Sequence, residues 1–306
     1  MPDRLRLTLA HSPDPDDAFM WWPLIGLEGV PAIDTGRFDF DIVTDDIESL
    51  NAAAAEGAYD VTAISIANYP LVKSQYILTA CGASVGDGYG PKLVAKPGLS
   101  LEDIARRQPV IAVPGARTTA LATSRMLLGE GMRWEAIPFD EIEAAVLGEH
   151  FEAGVVIHEG QLTCERLGLE ILVDLGAWWK RTRGLLLPLG GNAAKRDLES
   201  RGGPGTLAAL TRVLSESLSH AMRERETSLA YALRFGRGIA RADADAFVEM
   251  YVNAWTLEFG EQGEAAVQAF LAAAHEAGVL DSPGMVDFAH AGPVGAGRCD
   301  AAGADA

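Results

Sequence analysis

Apolar and polar residues alternate at the start of the chain, with Leu5, Leu7 and Leu9 on one side, and this period-two pattern predicts a half-buried strand. A polar loop with two prolines follows, His11-Ser12-Pro13-Asp14-Pro15-Asp16-Asp17, and residues 18–27, rich in large apolar side chains, predict a helix. Residues 38–43 predict the next strand. Asp45 or Asp46 then caps a helix that runs through the alanines 52–55 to Glu56. Residues 61–66 and 76–81 predict two further strands. Strands separated by helices imply βαβ units, an α/β fold and a mainly parallel sheet.

The pattern breaks at Lys96-Pro97-Gly98 and resumes with a helix over 101–107 and a strand over 110–113 ending in Pro114-Gly115. Helices over 119–129 and 141–147 lead to an apolar strand, Ala153-Gly154-Val155-Val156-Ile157, and 171–175 predicts another. A polar Gly/Pro segment at 199–205 is a second break. Beyond it, 207–223, 228–235, 243–255 and 261–277 all show helical periodicity, and the small-residue stretch 293–306 is expected to be disordered. Residues 1–108 with 205–292 then form one discontinuous lobe around an inserted lobe, 109–204. A chain that crosses twice between two lobes leaves a cleft, a preferred place for a small-molecule site. No fixed-period repeat is present.

Composition narrows the function. A length of 306 residues fits two domains, and 25 basic against 43 acidic residues give a net charge of −18 with no basic run, which disfavours nucleic acid or an anionic membrane as partner. The three cysteines, Cys81, Cys164 and Cys299, are far apart and odd in number, so neither a disulfide framework nor a zinc site is indicated. No signal peptide or apolar span is visible. A cytoplasmic protein is expected, and its apolar helices permit a homodimer.

Four loops at strand ends carry candidate chemistry. His158-Glu159 follows the 153–157 strand, at the carboxyl edge where open α/β sheets bind ligands, and a histidine there can move a proton near neutral pH. It serves equally well, on this stretch alone, as a strand cap. The 11–17 loop offers the Ser12 hydroxyl and a helix start. Its Asp14, Asp16 and Asp17 could hold a hard cation, but no glycine or further ligand set supports one. Glycine-dense 82–90 allows close approach of backbone to a ligand, or is a flexible turn, and matches no phosphate-loop spacing. Pro114-Gly115-Ala116-Arg117-Thr118-Thr119-Ala120 runs into a helix start that suits an anion, or is ordinary capping by one threonine. His11 is the other histidine beside a candidate loop, whereas His150, His220, His275 and His290 fall in helix or helix-end segments. Without a Gly-x-Ser-x-Gly elbow, a lone base fits better than a hydrolase triad.

Taken in order, these segments resemble the 1,4-dihydroxy-6-naphthoate synthase family of the futalosine route to menaquinone. The resemblance is carried by Ser12-Pro13-x-Pro15-x-Asp17, Gly115-x-x-Thr118-Thr119-Ala120, Ile157-His158-Glu159, Val173-Asp174-Leu175-Gly176-Ala177-Trp178-Trp179, Gly184-Leu185-x-Leu187-Pro188-Leu189-Gly190, Tyr251-Val252-Asn253-Ala254 and Gly260-Glu261-x-Gly263-Glu264. It implies a type II periplasmic-binding-protein-like fold, two α/β lobes with two crossovers and a central cleft. It also implies a lyase that cleaves cyclic dehypoxanthinyl futalosine to dihydroxynaphthoate and a three-carbon product, with His158 as general base, an anionic small-molecule substrate, no redox cofactor and no metal. Ser12, Asp14, Asp17, Ser65, Thr118, Thr119, Glu159, Leu189 and Gly190 are the expected substrate-binding residues. Chorismate dehydratase of the same pathway and a non-catalytic small-anion-binding protein are the alternatives on this fold. One departure stands out: where the family commonly has Cys and Asn in the opening loop, this chain has Asp14 and Asp16, two extra negative charges facing an anionic substrate.

Overall fold

Residues 4–235 and 238–292 are described by a computed structural model. The expectation of a disordered tail at 293–306, and Cys299 with it, lies outside them. Five strands open the chain: β1 (Leu5–His11), β2 (Phe38–Thr44), β3 (Val61–Ser65), β4 (Tyr76–Thr79) and β5 (Ser84–Gly86). The chain then crosses to a second sheet made of β6 (Lys92–Ala95), β7 (Val110–Val113), β8 (Arg133–Ala136), β9 (Ala153–Val156) and β10 (Glu170–Asp174), before returning through β11 (Leu187–Lys195) and β12 (Phe288–Ala289). The first sheet runs β12-β4-β11-β3-β1-β2 with β5 also paired to β11, and the second runs β10-β6-β9-β7-β8.

This order moves the expected lobe boundaries. β6 precedes residue 109 yet pairs with β9 and β10 of the second sheet, and β11 precedes residue 205 yet lies between β3 and β4 of the first. The crossovers therefore fall at 87–91 and within 175–186, not at 108 and 204. The sheets are also mixed rather than mainly parallel. β1 runs parallel to β2 and β3, and β7 to β8 and β9, but β11 is antiparallel to all three of its partners and β6 to both of its own.

Several elements end where local chemistry ends them. The helix expected over 18–27 spans Pro15–Trp21 and tightens into a 3-10 turn at Trp22–Leu24, because Pro23 supplies no N–H to continue an α-helix. Asp46 caps Ile47–Ala55 by accepting from Glu48 N and Ser49 N. The segment 243–255 divides into Arg241–Tyr251 and Ala254–Leu257, with Asn253 capping the second piece. His290 follows β12 instead of a helix, 3.4 Å from Glu264.

The C-terminal helices pack on the first sheet. Leu210, Leu214 and Leu218 of helix Thr206–Arg223 join Leu7, Leu9, Phe19 and Phe38 in one core, and on the other face Phe259 and Phe270 join Tyr76, Leu78 and Trp179. Removing each such side chain from water contributes roughly 1.5–3 kcal/mol. The second lobe has its own cores around Leu93, Ile111, Val113 and Val155, and around Ile142 and Val146. Among the described residues no helix is long and apolar enough to cross a membrane.

The two lobes are clasped at the first crossover. Asp174 caps the helix Leu175–Arg183 by accepting from Ala177 N, Leu175 N donates to Pro91 O, and Gly176 lies so close to the Tyr89 carbonyl that a Cβ there would overlap it. Much of the close approach promised by the glycine-dense 82–90 loop is thus backbone against backbone. Only its first part, Gly82 and Ser84, reaches the cleft.

Candidate active site

The cleft encloses about 710 Å³, part of it open to solvent. Its first-lobe wall is built from the carboxyl ends of β1 and β3 and from the middle of β11. Its second-lobe wall comes from the loops after β7 and β9, and Phe247 and Tyr251 of helix Arg241–Tyr251 close one side. Because β1 and β3 are parallel, Ser12 and Ser65 emerge at the same edge, and the antiparallel register of β11 sets Gly190 opposite Ser65. Ser12, Asp14, Asp17, Ser65, Thr118, Thr119, His158, Leu189 and Gly190 all reach this cavity; Glu159 does not, and instead stands at the start of the short helix Gly160–Thr163.

His158 sits just past β9 with φ +54, a left-handed conformation uncommon outside glycine but one that His adopts, like Asn and Asp, more often than other residues. His158 lines the cavity; its Nδ1 is 2.8 Å from Asp14 Oδ2, while Nε2 is buried with no hydrogen-bond partner among the described residues. The expectation of a lone base is therefore corrected: the histidine is paired with a carboxylate. The Phe139 ring stands edge-on to the imidazole at 4.6 Å. Burial opposes the imidazolium, but the charge and hydrogen bond of Asp14, aided by Glu159 and Asp16, outweigh it and raise the His158 pKa.

The three carboxyls of the 11–17 loop have separate surroundings. Asp14 is 1% exposed and faces His158. Asp17 accepts from Ser12 N at 2.9 Å and Ser12 Oγ at 2.8 Å, so it ties the loop together, and the Ser12 proton is committed to it and not to a ligand. Asp16 accepts from Ser84 Oγ at 3.2 Å. Burial, with Asp17 and Asp14 alongside, pushes its carboxyl well above the usual range, and burial raises Asp17 as well against the pull of His11 and Ser12.

The threonine hydroxyls are also engaged. Thr118 Oγ1 accepts from Leu121 N and donates to Gly115 O; Thr119 Oγ1 accepts from Ala67 N at 3.1 Å and donates to Leu189 O at 2.7 Å, bridging the lobes. What the helix Thr119–Leu128 offers a ligand is its first-turn N–H groups, those of Thr119 and Ala120, which have no acceptor within the helix. Arg117 N donates to Glu48 Oε2 at 3.0 Å, a second contact between lobes that fills the space beside Gly115. Ser65 Oγ accepts from Asn51 Nδ2 at 3.0 Å, and its own proton has no acceptor among the described residues.

Sequence reasoning missed Gln161, Asn192, Phe247 and Ser84 as walls of the site. Gln161 had a signal in its position three residues after His158. Its amide lies 2.8 Å from the Tyr251 hydroxyl and, with its nitrogen turned to Gly90 O at 2.6 Å, its oxygen accepts from His158 N at 3.3 Å. Tyr251 stood in a quoted motif without a role. Asn192 is set by β11, whose Nδ2 donates to Gly82 O across the sheet.

Comparison with known proteins gives the same direction. A family model described as menaquinone biosynthesis matches residues 7–276. A curated protein named 1,4-dihydroxy-6-naphtoate synthase, from Thermus thermophilus, is 35% identical over 277 residues, covering 89% of this chain and 95% of that protein. A crystal structure of a protein from Archaeoglobus fulgidus is similar with a TM-score of 0.81 at 38% identity, over 90% of this chain and 98% of that one. A Candida albicans protein described as having the generic periplasmic binding protein fold matches with a TM-score of 0.62 at 10% identity, over 92% of each chain. The two-lobed architecture is that fold.

Proposed function

The chain belongs to the menaquinone biosynthesis family, and from that premise we propose that it is a cytoplasmic 1,4-dihydroxy-6-naphthoate synthase, a carbon–carbon lyase acting on cyclic dehypoxanthinyl futalosine with His158 as general base. The observation that carries the reading is His158, a residue on the wall of a cleft between two lobes whose Nε2 has no hydrogen-bond partner among the described residues. Breaking a carbon–carbon bond next to a ring carbonyl requires a proton to leave and the resulting enolate to be stabilised. A neutral imidazole with its lone pair at Nε2 can take that proton. The Thr119 and Ala120 N–H groups and the Ser65 hydroxyl are the donors suited to the developing oxygen anion or to a substrate carboxylate. Aromatisation of the product supplies driving force, and a cleft between two lobes is a preferred place for a small organic ligand.

The test is incubation of purified protein with cyclic dehypoxanthinyl futalosine, following dihydroxynaphthoate by its absorbance. Wild type is expected to form product, and His158→Asn to lower kcat by about 100-fold or more. Absence of product from folded wild type overturns the substrate, and full activity in the variant overturns the base.

A further inference from the structure

We infer that Asp14 is the positioning residue of the base: from the opposite lobe it holds the His158 imidazole with the proton on Nδ1 and the lone pair at Nε2 turned into the cavity. The inference rests on His158 being the base. Asp14 lies on the loop after β1 of the first sheet, and His158 on the loop after β9 of the second. Their 2.8 Å contact therefore exists only with the lobes together, and the base is oriented on closure.

A carboxylate 1% exposed needs donors, and His158 Nδ1–H is one within reach. Moving the proton to Nε2 would turn a lone pair toward Asp14 and spoil the nitrogen that faces the substrate. The Phe139 ring limits rotation of the imidazole, and the Gln161 amide holds its backbone N–H. The charged and titratable groups facing His158 are Asp14 and Asp16 from the first lobe, Glu159 beside it with Glu143 behind, and Tyr251 acting through Gln161. Of these, Asp14 alone reaches an imidazole nitrogen.

The experiment compares wild type, Asp14→Asn and Asp14→Glu by kcat and KM across pH and by nitrogen-15 NMR of the His158 imidazole in the ligand-free protein, with thermal melts to establish folding. In wild type the imidazole should carry its proton on Nδ1 and titrate above the ordinary value of about 6.5. With Asp14→Asn the titration and the acid limb of kcat should move to lower pH, because burial then acts without the carboxylate that offsets it. The same variant should lose about 100-fold in kcat with KM within about threefold, and Asp14→Glu should recover roughly a tenth of wild-type kcat or more.

A wild-type spectrum with the proton on Nε2 overturns the inference without any variant. So does an unmoved titration in Asp14→Asn, or a raised KM at unchanged kcat, which would make Asp14 a substrate contact. If no protein turns over substrate while the titration shifts as stated, the proposed reaction falls and the positioning role stands.

Discussion

Three buried carboxyls at one end of the cleft divide their partners unequally, and that division answers the charge conflict the opening loop presents. Asp14 spends its charge on His158, Asp17 on two groups of Ser12, and Asp16 has one hydroxyl at 3.2 Å. Burial and two acidic neighbours push the Asp16 carboxyl well above the usual range, so it holds its proton to higher pH than a free carboxyl does. Its folded-state pKa lies above the unfolded value of about 3.8, so between the two the native state holds a proton that the unfolded chain has released. Stability is therefore lost as pH rises through that window. Asp16→Asn removes the dependence: thermal melts from acid to mildly alkaline pH should show no difference from wild type below about 3.8 and an increasing advantage for the variant above it. A wild type that gains stability relative to the variant as pH rises would contradict the upward shift of Asp16.

At the scale of elements, the clasp between lobes depends on a glycine with no special backbone angle. Gly176 begins the helix Leu175–Arg183 against the Tyr89 carbonyl, and Gly176→Ala must push that helix off the crossover. A loss of about 2–4 kcal/mol is expected from urea unfolding; a variant within about 0.5 kcal/mol of wild type would mean that the crossover yields freely. The same region shows what was legible in the sequence. Leu5-Leu7-Leu9 and the apolar 153–157 run announced β1 and β9, and with them the loops bearing Asp14 and His158. β11 was not legible because Leu187-Pro188-Leu189-Gly190-Gly191 carries residues that ordinarily interrupt strands; Pro188 is tolerated where the strand pairs only β5, at an irregular register, before the β3 ladder begins at Gly190. β8, an exposed edge strand Arg133–Ala136, has no buried face to write a pattern. The Asp14–His158 contact was illegible for another reason: it joins residues from different sheets, and only the meeting of the lobes creates it.

For the whole molecule, every strand of the second sheet comes from one uninterrupted stretch, residues 92–174, whereas the first sheet is assembled from both sides of it. β3 and β4 have no strand between them until Leu187–Lys195 has been made, and Ser65 waits for Gly190. A chain growing from its N-terminus at a limited rate completes the local structure first. The inserted lobe is thus the first to fold during synthesis, and the lobe bearing Asp14 forms around it afterwards. Ribosome-stalled chains test the order: exposing residues up to 186 should protect 92–174 from protease while 61–79 stays cleavable, and exposing the chain through 292 should protect both. Simultaneous protection at the shorter length would refute it. Mutations that delay the pairing of Leu187–Lys195 should then leave β3 and β4 with unpaired edges, so that the newborn first lobe aggregates even where the residues lining the cleft are unchanged.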